Sequence, residues 1–477
     1  MDEVCRKNLS SKIAMPDKYV IPIHIYLAVI VCFSLLLASC SIRQRITKDV
    51  THTILNDSSF INAHTGICIY DPTSNKYLCN YQSNKYFTPA SNTKLFTCYA
   101  AMKHLGDSLA GLRYDIQNGN ITILGTGDPT FLHPDFKNQP VYDFLKKQVR
   151  IAYLDDPFLR SFSPLGKGWA WDDYQEDYMA ERSEFPIYGN VATFYMQGDS
   201  VTVSPPFFYN SAIHYCNQTI RSVDDLHFKI VRPFEGNNFH GLGELLNTPT
   251  FSKQSIPFKT VLDPTFSYLN NNTTFIRLLS DTLEKENFIE CCSGWADSRG
   301  KLPNILHSQP TDSLLKIMMH RSDNFFAEQT LLMVSNEMLD YMSDDKVIDS
   351  LLKTDFKDLP QKPKWVDGSG LSRYNLFTPQ DFVWLLNKMK SDFTWQRITA
   401  ILPTGNEGTL SGYYKNYAGK IYAKTGSLGN IFSLSGYITT QKGKQLIFSV
   451  MINGFQSPSP VIRKKIENLL TQIMEEN

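Results

Sequence analysis

The chain has 477 residues, too many for one compact core, so two or more domains are expected. Its 47 basic and 47 acidic side chains cancel, and no basic block or basic–aromatic stripe stands out, which argues against nucleic acid as a partner. Hydrophobic content of 42% with 20% charged residues describes a folded globular protein rather than a disordered one.

In chain order, the first feature is the apolar run "YVIPIHIYLAVIVCFSLLLASC", residues 19–40, with Lys18 ahead of it. Its length suits a transmembrane anchor. The small residues directly before Cys40 suit better a lipoprotein signal peptide, cleaved so that Cys40 becomes a lipid-bearing N-terminus. Residues 1–39 are then the signal peptide and 40–59 a polar tether, and the protein is expected in the periplasm, held to a membrane through Cys40. The long segment before the run leaves Met15 open as the true start.

"TGICIYDPTSNKYLCNY" reads as a β-hairpin around an Asp-Pro-Thr-Ser-Asn turn. Cys68 and Cys79 flank that turn and either face each other or stay as buried thiols. No C-x-x-C spacing points to zinc or redox chemistry, and neither metal nor cofactor is expected. "SNTKLFTCYAAMKHLG" is helical and closes at Gly106. From about residue 109 short β-rich runs alternate with Gly, Pro and Asn clusters, so residues 109–261 read as a mostly β insertion. Trp169 and Trp171 of "GWAWDD" read as core-packing residues. Helical periodicity returns in "NNTTFIRLLSDTLEKE", "TDSLLKIMMHR", "FFAEQTLLMVSNEMLD" and "TPQDFVWLLNKMK", the last with Thr378 as cap and Pro379 at the first helical position. Three strands and a final helix end the chain. The expected fold class is therefore α/β, with residues 60–108 and 262–477 forming one domain split by the insertion.

Three short motifs carry candidate chemistry. Ser91 and Lys94 stand three apart at a helix start behind Pro89, which places the amine on the hydroxyl's face of the helix. A hydroxyl needs a base to become a nucleophile, and a lysine serves when burial lowers its proton affinity. S-x-x-K recurs at Ser298, Ser313 and Ser350, so alone it is weak. "HRSDNFFAEQ" sets Ser322, Asp323 and Asn324 in the break between two helices, where a plain Ser/Asp cap is the alternative. "IYAKTGSLGN" sets Lys424, Thr425 and Gly426 at a strand end, with Lys424 and Gly426 on one face, and Gly426 leaves room for another backbone.

In the order S-x-x-K, S-x-N, K-T-G, these motifs are those of β-lactamases and penicillin-binding proteins. "PASNTKLFT", "HRSDNFFAE", "DGSGLSRYN", "LPTGNEGTL" and "AKTGSLGNIFSLSGY", with "GTGDPTF" and "GWAWDD" in the insertion, resemble the D-alanyl-D-alanine carboxypeptidases/endopeptidases of the low-molecular-mass class C penicillin-binding proteins. The similarity runs from about residue 60 to the end. It implies a transpeptidase-like domain, an antiparallel sheet flanked by helices, that cleaves peptidoglycan stem peptides and is acylated by β-lactams.

The resemblance also implies roles. Ser91 attacks the carbonyl of the penultimate D-Ala, Lys94 takes its proton, Ser322 passes a proton to the leaving amine, and Asn324 orients the peptide. Lys424 and Thr425 bind the terminal carboxylate. The amides of Ser91 and Ser427 form the oxyanion hole beside Gly426. Asp173, Tyr178 and Arg373 match contacts to the far end of the diaminopimelate side chain, though Tyr178 stands where relatives prefer Phe. The remaining alternatives are a serine β-lactamase and a non-catalytic peptidoglycan-binding lipoprotein. A Ser-His-Asp hydrolase is disfavoured, since Ser369 in "DGSGL" follows Asp367 where a nucleophile elbow needs glycine, and no H-E-x-x-H marks a zinc peptidase.

Overall fold

The computed structural model describes residues 42–155, 159–197, 200–209, 229–242, 252–260, 274–284, 288–291 and 302–477. The expected signal peptide and Cys40 lie outside the described residues. Among those described, no helix is long and apolar enough to cross a membrane.

The hairpin forms where alternating β-rich runs flank the Asp-Pro-Thr turn: β1 (His64–Asp71) pairs antiparallel with β2 (Lys76–Tyr81). On its other side β1 pairs with the last strand of the chain's C-terminal meander, so both ends of the chain meet in one sheet. The five strands of that sheet are all antiparallel, with the K-T-G strand Ile421–Leu428 at one edge and β2 at the other. The strands of the middle are buried on both faces, which requires a cover on each. One cover is the helical layer containing Lys94–His104, Thr311–Arg321, Asn324–Leu339 and Pro379–Asp392. The other is the closing helix Ser459–Glu476 together with the start of the described chain.

That second cover corrects one expectation. Residues 42–50 are helical and continue into a single wide turn, Thr51–Leu55. Ile46, Val50 and Ile54, spaced four apart, are fully buried against the sheet and the C-terminal helix. The segment expected to be a polar tether is thus an amphipathic helix docked on the first body. Gln472 donates to Asp49 at 3.0 Å, fastening it from the other side.

The chain leaves the first body at β3 (Ser108–Gln117) and folds a second one. β3 pairs with β4 (Asn120–Leu124), which runs parallel to β5 (Ile151–Leu154). A three-stranded antiparallel sheet, β6 (Val191–Gln197), β7 (Ser200–Ser204) and β10 (Ser252–Pro257), and the pair β8 (Lys229–Val231) and β9 (His240–Leu242) are the other strands among the described residues up to 260. The sequence places the end of the insertion at residue 261, but the packing carries it further. Helix Thr274–Leu283 buries Phe275, Ile276, Leu278 and Leu279 in the core of the second body. β11 (Phe288–Cys291) pairs with β5, and β12 (Asn304–Pro310) pairs with β3. Exit and return lie side by side, where the Thr311 amide donates to the Asp107 carbonyl at 3.0 Å. An apolar helical stripe reveals a buried face without revealing which core receives it, which is why the boundary shifts to about Pro310.

One open alternative is settled, and one further expectation changes. Cys68 pairs with Asn80, and Cys79 with Ile69, so the two thiols point to opposite faces of the hairpin and remain free and buried. Trp171 is 74% exposed rather than packed in a core.

Candidate active site

The turn that carries Ser91 is built by close backbone packing. Residues Ala90–Thr93 form one tight turn that leads directly into helix Lys94–His104, buried from Lys94 to Met102. Ser433, on the strand Ile431–Thr439, donates to the Pro89 carbonyl at 2.5 Å and accepts from Asn92 Nδ2 at 2.7 Å. Gly426 makes this possible, since a Cβ there would lie 2.5 Å from the Pro89 oxygen. The close approach that Gly426 allows is therefore taken by the protein's own turn. Gly370, at φ +82°, plays the same part from the other side, where a Cβ would meet the Ala90 carbonyl at 1.9 Å.

Ser91 is half-buried at the mouth of this turn and Lys94 is fully buried beneath it. Lys94 Nζ lies 3.0 Å from Ser91 Oγ, 2.7 Å from Asn324 Oδ1 and 2.7 Å from the Ser369 carbonyl. Burial pushes its ammonium down to about 8, against the opposing pull of Asp367, Asp323 and Glu328.

The second pair comes from the helix break and the strand. Helix Thr311–Arg321 ends with Ser322 in the left-handed region, at φ +63°, an uncommon conformation for serine that turns its hydroxyl toward the sheet. Asp323 caps the next helix by accepting from the Phe326 amide at 2.8 Å. The cap reading of the tripeptide is thus correct for Asp323 alone, while its neighbours face the two lysines. Lys424 Nζ, fully buried, donates to Ser322 Oγ at 2.9 Å and to the Thr425 carbonyl at 2.7 Å. Burial, then the nearby Lys94 and Arg463, hold Lys424 well below its ordinary value. Because Ser322 and Asn324 flank one residue, the Ser91–Lys94 and Ser322–Lys424 pairs form a single cluster.

The remaining expected residues surround it. Asn324 Nδ2 donates to the Tyr178 carbonyl at 3.0 Å, which brings the 171–178 segment of the inserted body to the rim. Tyr178 is exposed, and burial of its hydroxyl together with the hydrogen-bonded Asp173 carboxylate pushes it up to about 12. Arg373 is exposed, its guanidinium close to Gly429 just past the K-T-G strand. Thr425 is buried and Ser427 exposed.

Some neighbours of the cluster escape motif reading. Arg463, on the closing helix, donates to Ser427 Oγ at 3.0 Å and brings a further cation to the strand end. Ser369 acts through its backbone, and Asp367 gathers its loop by accepting from the amides of Gly370 and Ser372, from Asn375 Nδ2 and from Trp169 Nε1. Glu328, one helical turn beyond Asn324, accepts from the Ser369 amide at 2.7 Å. Among the described residues, no group of three or more His, Cys, Asp or Glu side chains is placed to hold a metal.

A serine hydroxyl against a buried lysine, backed by a second such pair, narrows the comparison to known proteins. Residues 47–474 match the model of the D-Ala-D-Ala carboxypeptidase 3 (S13) family. The chain belongs to that family. It is 26% identical to the D-alanyl-D-alanine carboxypeptidase of Actinomadura sp. strain R39 across 86% of this chain and 81% of that protein. To the D-alanyl-D-alanine carboxypeptidase DacB of Haemophilus influenzae it is 22% identical across 83% of this chain and 86% of that protein. Its fold matches that of penicillin-binding protein 4 from H. influenzae with a TM-score of 0.68 at 22% identity, covering 90% of this chain and 99% of that one. As an S13-family carboxypeptidase, the protein has the expected α/β architecture of an antiparallel sheet between helical layers.

Proposed function

We propose that this carboxypeptidase cleaves the terminal D-Ala–D-Ala bond of peptidoglycan stem peptides through an acyl-enzyme on Ser91, and that β-lactams trap it at that step. The observation that carries the reading is the environment of Lys94. A neutral amine has two N–H groups and one lone pair. Asn324 Oδ1 and the Ser369 carbonyl, each at 2.7 Å, take the two donors and leave the lone pair for the Ser91 hydroxyl at 3.0 Å. Burial of the amine favours this neutral form.

Ser91 Oγ then bonds to the carbonyl carbon of the penultimate D-Ala while its proton passes to Lys94. The C–N bond breaks, and the terminal D-Ala leaves with a proton delivered through Ser322, which Lys424 holds in place. Water hydrolyses the ester and Ser91 recovers its proton. The amides of Ser91 and Ser427 face the developing oxyanion, Thr425 and Lys424 meet the terminal carboxylate, and Asp173, Tyr178 and Arg373 receive the far end of the stem peptide. The H. influenzae relative has been solved in complex with a β-lactam, which supports β-lactams as ligands here. Endopeptidase cleavage of cross-links would proceed through the same Ser91 acyl-enzyme.

Intact-mass measurement after exposure to benzylpenicillin tests the reading. One adduct is expected on the peptide containing Ser91, with none on Ser91→Ala, and release of D-Ala from muropeptides is expected to fall at least about 1000-fold in that variant. Unchanged D-Ala release by Ser91→Ala overturns it, and rapid turnover of the adduct would make the protein a β-lactamase instead. Anchoring through a lipidated Cys40 and a periplasmic location belong to the same proposal, checked by palmitate labelling that Cys40→Ala abolishes.

A further inference from the structure

We propose that Glu328, clamped from the inserted body by Arg182, is a positioning residue for Lys94: it fixes the Ser369 peptide whose carbonyl holds the amine against Ser91. The inference rests on the catalytic role of Ser91 and Lys94 above.

Helix Asn324–Leu339 presents two side chains one turn apart to the same cluster. Asn324 touches Lys94 directly. Glu328 reaches the same amine through one residue: its Oε1 accepts the Ser369 N–H at 2.7 Å, and the Ser369 carbonyl accepts from Lys94 Nζ at 2.7 Å. Thr97, one turn beyond Lys94, donates to the Gly368 carbonyl at 2.7 Å, so the loop is fastened to the nucleophile helix as well.

Glu328 is buried to within 1% of its surface, and an ionised carboxylate in such a place requires a cation. Arg182 supplies it, and Arg182 belongs to the inserted body. Its Nη1 lies 3.2 Å from Glu328 Oε2 and 2.5 Å from Asp344 Oδ2, and its Nε and Nη2 donate to the Ser163 carbonyl. The rings of Trp169 and Phe162 lie 5.6 and 5.7 Å from the guanidinium carbon, and Trp169 in turn donates to Asp367. The charged groups around Glu328 are thus Arg182 from the inserted body, Asp367 from the loop, Asp344 from the following helix and Lys94 from the nucleophile helix. Those acting on Lys94 are Asp367, Asp323, Glu328 and the neighbouring Lys424.

The arrangement has an electrostatic consequence. Burial, then Asp367, lift the Glu328 carboxyl to about 7, and Arg182 opposes them, so the guanidinium favours the ionised form. That negative charge favours the protonated form of Lys94. Glu328→Gln removes the charge and retains an acceptor for the Ser369 amide, so Lys94 loses its proton more easily. Arg182→Met lets Glu328 take up a proton and has the same consequence, whereas Arg182→Lys retains the cation.

The test is the pH dependence of Ser91 acylation by a fluorescent penicillin, measured on the full chain with thermal unfolding as a control for folding. The acid limb of the wild-type profile is expected to shift downward by about one pH unit in Glu328→Gln. It is expected to shift the same way in Arg182→Met, to stay in place in Arg182→Lys, and to show no further downward shift when Arg182→Met is added to Glu328→Gln. A wild-type limb in Glu328→Gln, with only the unfolding temperature lowered, overturns the proposal. Should Glu328→Gln fail to fold, an unshifted or upward-shifted limb in Arg182→Met overturns it equally. A wild-type chain that is not acylated at Ser91 at all defeats instead the function on which the proposal rests, so the two failures are distinguishable.

Discussion

Buried charge is handled in opposite ways in the two bodies of this molecule. In the inserted body, Arg160 meets Glu184 at 2.6 Å and Asp155 at 3.1 Å, and Glu181 lies 3.7 Å from Lys259. In the Ser91 cluster, Lys94 and Lys424 are more deeply buried, yet their hydrogen bonds run to neutral oxygens of Ser91, Asn324, Ser369, Ser322 and Thr425. Paired charges are a structural solution, whereas a buried amine without a carboxylate in contact is poised to lose its proton. The contrast separates scaffold from chemistry without appeal to motif, and Arg182, which reaches from the first arrangement into the second, is where they meet.

The contrast breaks most visibly at the lysines. Lys94→Met keeps the apolar stem and removes the base, and acylation by penicillin is expected to fall at least about 1000-fold with folding intact. Lys424→Met leaves Ser322 without its donor and is expected to cost about 100-fold. In the wild type, acylation should fall about tenfold per pH unit below about 8, because the productive amine is neutral and protonation removes its lone pair. A profile flat down to pH 6 would show that Lys94 does not serve as the base.

How much of this was legible beforehand depended on distance along the chain. Ser91 with Lys94, Ser322 with Asn324, and Lys424 with Thr425 each sit within one helical turn or one strand step, so local spacing reports their geometry. Ser433 under the nucleophile turn, the Ser369 carbonyl and the Arg182–Glu328 contact join segments far apart in sequence, and no periodicity encodes them. Gly426 was legible as a point of close approach but not as the place where the Pro89 turn docks. Helix Thr274–Leu283 is legible as a helix but not as part of the inserted body, because amphipathicity specifies a face and not its partner. Residues 40–59 suggest a tether because polar residues outnumber apolar ones there, although Ile46, Val50 and Ile54 keep a four-residue spacing.

That docked segment offers a prediction of smaller size. Ile46 is fully buried between the sheet and helix Ser459–Glu476, so Ile46→Ala should lower unfolding stability by about 3 kcal/mol in urea titrations. Because the segment covers the sheet face opposite the catalytic cluster, the acylation rate of the folded protein should be unchanged. A loss under about 0.5 kcal/mol would return the segment to the status of a tether.

The smallest effect is expected in the inserted body. Arg160→Met leaves Glu184 buried, with the Tyr153 hydroxyl at 3.1 Å as its remaining hydrogen-bond partner. Breaking a fully buried pair costs several kcal/mol, but the Arg160 side chain is 35% exposed and solvent already screens it, so about 1–2 kcal/mol is expected. The sign of the pH dependence follows from Glu184, whose carboxyl burial raises above its ordinary value. Loss of the guanidinium raises it further, so the folded variant binds a proton that the unfolded chain releases, and its stability falls as pH rises from the ordinary carboxyl range through the raised folded value. The deficit relative to wild type should therefore be larger at pH 7.5 than at pH 4.5. A deficit equal at both would mean that Arg160 contributes packing rather than charge, and that the inserted body does not depend on ion pairing in the way its geometry suggests.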